Sequence, residues 1–344
     1  MRVSGRGERE APHPRATTAW FGNPETEEML LAAYRGGRMP HAWLVSGPAG
    51  IGKATLAYRL ARFVLAHPDP ASRAVQIASS LAVEPNHRVT RRIAAQAHGD
   101  LLVLERTPGE SGALRTVITV DQVRRTLGFF GSTAGEGGWR ICIVDSADDL
   151  KYPEGANALL KVLEEPPPRS LFLLVSHASG RLLATIRSRC RRLVVGPLDP
   201  IRIARAAACA LGRDSVDANL RQAAEACDGS VGRAIALSGG PALAVRDRVL
   251  ELLSDLPAVD PQALHALGDT LARADDDIYD IFVDTIRDWL RAQLNLAGET
   301  GRLARVAEVW EKLDRVAREV EVFNLERKPM VFAVFGHLAE AARH

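Results

Sequence analysis

The segment Gly47-Pro-Ala-Gly-Ile-Gly-Lys53-Ala-Thr55 has the residue types and spacing of a loop that wraps phosphate. Gly47, Gly50 and Gly52 can adopt positive φ and leave room for backbone N–H groups to converge on an anion. Lys53 would reach the terminal phosphates of a nucleotide, and the N-terminus of the following helix adds a favourable partial charge. The pattern ordinarily has Ser or Thr directly after this lysine, where the hydroxyl ligates nucleotide-bound magnesium. Here the position is Ala54. Thr55 follows, a helical rotation of about 100° away, so its hydroxyl is expected to point elsewhere unless the loop shifts register.

A second chemical segment is Cys142-Ile-Val-Asp145-Ser146, the end of an apolar β-branched run. Asp145 at such a strand end could hold magnesium through water. Activating an attacking water usually needs a second acid beside it, and Ser146 is a poor proton acceptor. The two segments together predict a nucleotide-type site without turnover of its own, and leave open whether ATP and magnesium bind there. No cofactor is required by this reading, and no zinc is expected.

A third constellation is Thr185-Ile-Arg-Ser188-Arg189-Cys190-Arg-Arg, an arginine-dense turn between two apolar runs. A fourth, Gly229-Ser-Val-Gly-Arg233, offers Arg233 as a possible phosphate sensor. His177, at the end of the run Leu171–Val175, reads as an ordinary hydrogen-bonding residue more readily than as a ligand.

These residues need positioning elements. Short runs at Trp43–Val45, Leu101–Leu104, Ile141–Val144, Leu171–Val175 and Leu193–Val195 alternate with helix-compatible stretches, which predicts a parallel sheet with helices on both faces. The phosphate loop lies between such a run and a helical pattern, the setting its chemistry requires. Residues 66–99, punctuated by Pro68, Pro70, Pro85 and Asn86, read as a loop or small insertion. The turn Gly135-Glu-Gly-Gly138 should precede the run that ends at Asp145. Beyond Pro200 the β-branched runs vanish. Arg202–Leu211, Asp217–Cys227 and Val231–Leu237 read as short helices, and 242–344 stays helical.

At 344 residues, 47% hydrophobic and 25% charged, the chain has ordinary globular composition with room for more than one core. No stretch approaches the roughly 20 apolar residues of a membrane span, and Met1–Glu10 has no apolar signal core, so a cytoplasmic location with a frayed start is expected. The four cysteines are too dispersed for a zinc module or a disulfide framework. The net charge of +2 hides an asymmetry: residues 241–344 hold 13 Lys and Arg against 19 Asp and Glu, and the preceding residues 31 against 23. A polyanion would therefore meet the N-terminal two-thirds.

With Gly37-Arg-Met-Pro-His41-Ala-Trp-Leu, His98-Gly-Asp100 and Val120-Asp-Gln-Val-Arg124 added, the ordered motifs make the first 240 residues resemble the clamp-loader branch of the AAA+ proteins. The resemblance implies an α/β P-loop AAA+ domain at 1–197, a small helical lid domain at 198–240 and an all-α C-terminal collar at 241–344. It implies a largely non-hydrolysing subunit that helps load a sliding clamp onto primed DNA. Arg189, with Ser188 and Cys190 of its motif, would act in trans as an arginine finger on a neighbour's ATP. Implied partners are gamma/tau ATPase subunits, a delta subunit, the beta sliding clamp and primer–template DNA in a hetero-oligomer, with no membrane. The rival reading is an active P-loop ATPase of the gamma/tau type or a related DNA-transaction motor, which Lys53 and Asp145 keep open.

Overall fold

The computed structural model describes residues 12–343 apart from 110, 111, 113, 132–134, 136, 137, 214, 297–299 and 324. The expectation about Met1–Glu10 and the middle of the predicted 135–138 turn fall outside these. Two compact units make up the chain, Met1–Ile235 and Ala236–His344.

The first unit is built on five parallel strands, β1 (Ala42–Ser46), β2 (Leu101–Glu105), β3 (Arg140–Asp145), β4 (Ser170–Ser176) and β5 (Arg191–Val194), in the order β2-β3-β4-β1-β5. The runs are apolar without alternation because both faces are covered. Successive side chains point to opposite faces. Trp43, Val45, Ile141, Ile143, Leu171 and Leu173 enter one core, with α1 (Pro24–Arg35), α2 (Lys53–Ala66) and α4 (Arg88–Ala94). Leu44, Cys142, Val144, Phe172 and Leu174 enter the other, with α5 (Val120–Gly131), α6 (Glu154–Glu164) and α7 (Ala184–Arg189). This is the α/β architecture that the alternating runs predict.

Two expectations need correction. Residues 66–99 are not simply loop, since α3 (Arg73–Ile77) and α4 form there. Val75, Val89 and Ile93 bury against the first core, and that tertiary contact outweighs the proline punctuation. The arginine-dense turn before Cys190 is a helix, α7, because Ile186 is buried beneath it at 1% exposure. The helices α8 (Pro200–Ala210), α9 (Ala218–Glu225) and α10 (Val231–Leu237) follow, the first two capped by Asp199 and Asp217, whose side chains accept from Arg202 N and Leu220 N.

The second unit holds the wholly helical α11 (Ala242–Ser254), α12 (Pro261–Arg273), α13 (Asp276–Leu296), α14 (Thr300–Phe323) and α15 (Arg327–Ala342). Leu267, Phe282, Ile286, Leu313, Val331 and Phe335 lie in its interior. Among the described residues no helix is long and apolar enough to cross a membrane.

Phe172 is fully buried in β4, its ring centroid 4.5 Å from that of Phe130 on α5. Phe172→Ala should cost about 3–5 kcal/mol, read as a fall in the urea midpoint of the first unit. A change below about 1 kcal/mol would show that this contact does not fix α5 on the sheet.

Candidate nucleotide site

The site grows from the C-terminal end of β1. This strand is buried along its whole length and hydrogen-bonded to β4 and β5 on its two sides. Its last residue, Ser46, therefore delivers Gly47 to a fixed point, where Gly47 N donates to Ser176 O at 3.3 Å. The loop glycines are required by their conformations: Gly47, Gly50 and Gly52 have φ of 151°, 73° and 88°. A Cβ on Gly50 would also drive into the Ser230 hydroxyl. Gly50 O accepts from Gly232 N at 3.1 Å, so the Gly229–Arg233 segment is fastened to the loop by backbone.

Around this loop lies a cavity of about 320 Å³. Of the sequence-predicted residues, Gly50, Gly52, Lys53, Thr55 and Asp145 line it, whereas Gly47 holds the loop's base. Ala54 and Thr55 both reach the wall, so the single helical step between them does not remove Thr55 from the site. Arg233 is not among the lining residues. Its guanidinium stands 3.5 Å from Asp228, while its neighbours Val231 and Gly232 form the wall.

Lys53 is 3% exposed, and its ammonium donates to Pro48 O of its own loop. Burial lowers its pKa to about 8 despite the nearby carboxylates of Asp145 and Asp148. Burial, followed by the charge of Glu105, raises Asp145 to about 6, with Lys53 opposing. Desolvation thus outweighs the attraction between this lysine and this carboxylate, and both are pushed toward their neutral forms.

The acids after Asp145 are engaged elsewhere. Asp148 accepts from Ser176 Oγ at 2.9 Å, His177 N at 2.5 Å, Ala178 N at 3.4 Å and Ser146 Oγ at 3.4 Å, tying the segment after β3 to the end of β4. Asp149 lies 3.2 Å from Arg106. His177 lines the cavity, and its pKa is lowered by burial first and by Lys53 second.

Sequence reasoning missed the other wall. Residues 12–22 form a strap along α2. Arg62, 2% exposed, donates to Thr17 O at 2.8 Å, to Pro14 O at 3.1 Å and to Arg15 O. Arg59 donates to Thr18 O at 2.7 Å and to Glu27 at 2.6 Å. The strap carries Trp20 and Phe21 to the cavity wall, where Leu198, Val231 and Ile235 complete an apolar region. The available signal was an aromatic pair beside a proline-rich stretch in a chain only 5% aromatic.

Arg189 lies away from this cavity. It ends α7, its Nη1 donates to Thr185 O at 3.0 Å, and its Nη2 is 2.8 Å from Glu164 Oε1 on α6. Its side chain is 34% exposed. The Ser188 hydroxyl caps the same carbonyl at 3.0 Å, and buried Cys190, its thiol pushed up to about 12 by desolvation, anchors the turn into β5. Among the described residues no group of three or more His, Cys, Asp or Glu could hold a metal ion.

Comparison with known proteins places this geometry in a family. Residues 22–199 match the family model described as DNA polymerase III, delta subunit. The chain belongs to this family. It is 38% identical over 165 residues to DNA polymerase III subunit delta' of Pseudomonas aeruginosa, covering 47% of this chain and 46% of that protein. With DNA polymerase III subunit delta' of Escherichia coli it shares 31% identity over 230 residues, covering 66% and 63%. The matches thus span roughly half to under two-thirds of these relatives' length. A solved structure of a gamma subunit-related protein of DNA polymerase III from Thermotoga maritima is 18% identical, with a TM-score of 0.45, covering 91% of this chain and 99% of that one.

The Asp145 shift has a defined sign. A carboxyl whose folded pKa is raised from 3.8 to about 6 holds its proton in the folded state, so stability falls as pH rises through that window and then levels off. Asp145→Asn should stabilise the protein by about 1–2 kcal/mol at pH 7, after allowance for partial exposure, and by almost nothing at pH 4. Denaturant midpoints at the two pH values decide it; equal effects at both would show that Asp145 ionises without penalty.

Proposed function

We propose that the chain is the delta-prime subunit of the DNA polymerase III clamp loader. It helps load the beta sliding clamp onto primer–template DNA, does not hydrolyse ATP itself, and supplies Arg189 in trans to a neighbour's ATP site. The observation that carries this reading is the division of labour between two places in one unit. The chain has Ala54 and Ser146 where a hydroxyl ligand for magnesium and a water-activating acid would stand, while an arginine suited to phosphate lies away from the cavity.

Ala54 and Ser146 remove a magnesium ligand and a water-activating acid. The nearest alternative acid, Asp148, spends its carboxylate on the end of β4, and burial disfavours the charged form of Asp145 that a cation would need. A nucleotide fits the cavity better than a magnesium ion does. Lys53 would meet phosphate, and Trp20 and Phe21 offer faces for a base. Bound nucleotide would supply a structural polyanion, with no water positioned for attack. Arg189, held among the described residues by a half-exposed carboxylate and a carbonyl, can exchange Glu164 for a partner's phosphate, where a guanidinium stabilises developing charge.

The proposal includes gamma/tau ATPase subunits, a delta subunit, the beta clamp and DNA as partners in a cytoplasmic hetero-oligomer. It also includes the finer division into a P-loop domain to 197, a lid at 198–240 and a collar at 241–344. The position of Thr55 on the cavity wall favours one variant of this reading, in which ATP binds without being turned over.

Two measurements test the proposal. The purified chain with ATP and magnesium should show no turnover that Lys53→Ala abolishes; clear Lys53-dependent turnover would instead establish a motor of the gamma/tau type. In a loader reconstituted with gamma/tau and delta, Arg189→Ala should assemble normally and slow hydrolysis at one site on the order of 10³-fold. Unchanged turnover in a normally assembled complex would remove the trans role.

A further inference from the structure

A second cavity in the first unit, about 280 Å³, meets α2 at Tyr58. Its floor is apolar, from β2 and α4. Its polar wall consists of Arg15, Tyr58, Gln96, His98, Glu105 and Arg125. Tyr58 is 1% exposed, and its hydroxyl has no hydrogen-bond partner among the described residues. A buried O–H left without an acceptor is costly, and such groups ordinarily find a protein, water or ligand oxygen. Its pKa is raised, first by burial and then by the charge of Glu105, so it remains a donor.

The charges of this wall do not balance. Glu105 stands 3.8 Å from Arg15 and 3.5 Å from His13, whose pKa is lowered first by burial. With that histidine neutral, two guanidiniums face one carboxylate. Arg15 is also held in place, since its own carbonyl is bound by buried Arg62, and its side chain is only 20% exposed. Arg15 is therefore placed before any ligand arrives, which lowers the cost of binding, and the buried Tyr58 hydroxyl would turn to meet the ligand.

We propose that this cavity binds a small oxyanion, with the Tyr58 hydroxyl donating to it and the Arg15 and Arg125 guanidiniums balancing its charge. Glu105 would accept from any protonated oxygen of the ligand and so favour a hydrogen-bearing anion such as hydrogen phosphate over a fully ionised one. The site adjoins the helix that begins with Lys53 but shares no lining residue with the nucleotide cavity. It does not depend on the function proposed above.

The test uses the full chain carrying Lys53→Ala, so that phosphate at the glycine loop cannot contribute. Inorganic phosphate, at constant ionic strength, should raise the melting temperature saturably and give a measurable heat of binding, and acetate in a parallel arm tells whether the site takes carboxylates as well. Adding Tyr58→Phe or Arg125→Gln should weaken phosphate binding about tenfold or more. Arg125 is exposed on α5, so its replacement leaves folding intact and keeps the test informative if Tyr58→Phe alters packing. No saturable phosphate response, or a response that both variants leave unchanged, overturns the proposal. So does a Tyr58→Phe variant that is simply more stable without any phosphate response, because the hydroxyl then met only water.

Discussion

The placement of β1 between β4 and β5 is the constraint on which the first unit depends. Every residue of that strand is buried, and its backbone groups are shared with partners on both sides, so its register cannot slip without exposing one core or the other. Its end fixes Gly47 against Ser176 O, and Ser176 in turn fixes Asp148. The glycine loop, the segment after β3 and the end of β4 are therefore one hydrogen-bonded assembly at the carboxyl edge of a parallel sheet. That is where open α/β sheets present their ligand crevices. The same register sets β5, and through β5 the short helix that ends in Arg189.

Within that crevice desolvation is the dominant electrostatic effect. Lys53 and Asp145 would stabilise each other as ions in water-rich surroundings, yet each is shifted toward neutrality because burial costs more than their mutual attraction returns. A phosphate group entering beside Lys53 would reverse its shift, whereas the charged form of Asp145 that a cation needs is the form that burial disfavours. The electrostatics thus favour an anion over a metal ion, in agreement with Ala54, where a hydroxyl ligand is missing.

Much of this was legible in the sequence, for identifiable reasons. The strands were readable because burial on both faces leaves unbroken apolar runs, and the glycine loop because positive φ restricts three positions to one residue type. Asp199 and Asp217 stand where helix caps are wanted. What stayed hidden depends on contacts distant in the chain. Nothing local says that Arg59 and Arg62 of α2 bind the carbonyls of residues 14–18, so the aromatic wall of the cavity was invisible. Nothing local says that Val75 and Ile93 reach the core, so the stretch holding α3 and α4 reads as a loop or small insertion. Nothing local singles out Asp148, because three of its four donors, Ser176, His177 and Ala178, follow more than twenty residues later.

Asp148 also bears on how a phosphate-loop unit can persist without turnover. In the proposed reading the loop, its lysine and a strand-end aspartate are kept, although the hydroxyl ligand and the activating acid are gone. The hydrogen bonds suggest what keeps them. The loop glycines are locked by Gly232 and by the strap's Trp20, which packs against Gly52, and Asp148 joins the ends of two segments that would otherwise diverge. The loop glycines and Lys53, which in a phosphate loop would face the ligand, here also hold the crevice together through Gly232 N and Pro48 O. Arg189 is held differently, by Glu164 and by Thr185 O at the end of a short helix, and in the proposed reading a partner's phosphate would displace the half-exposed carboxylate of Glu164.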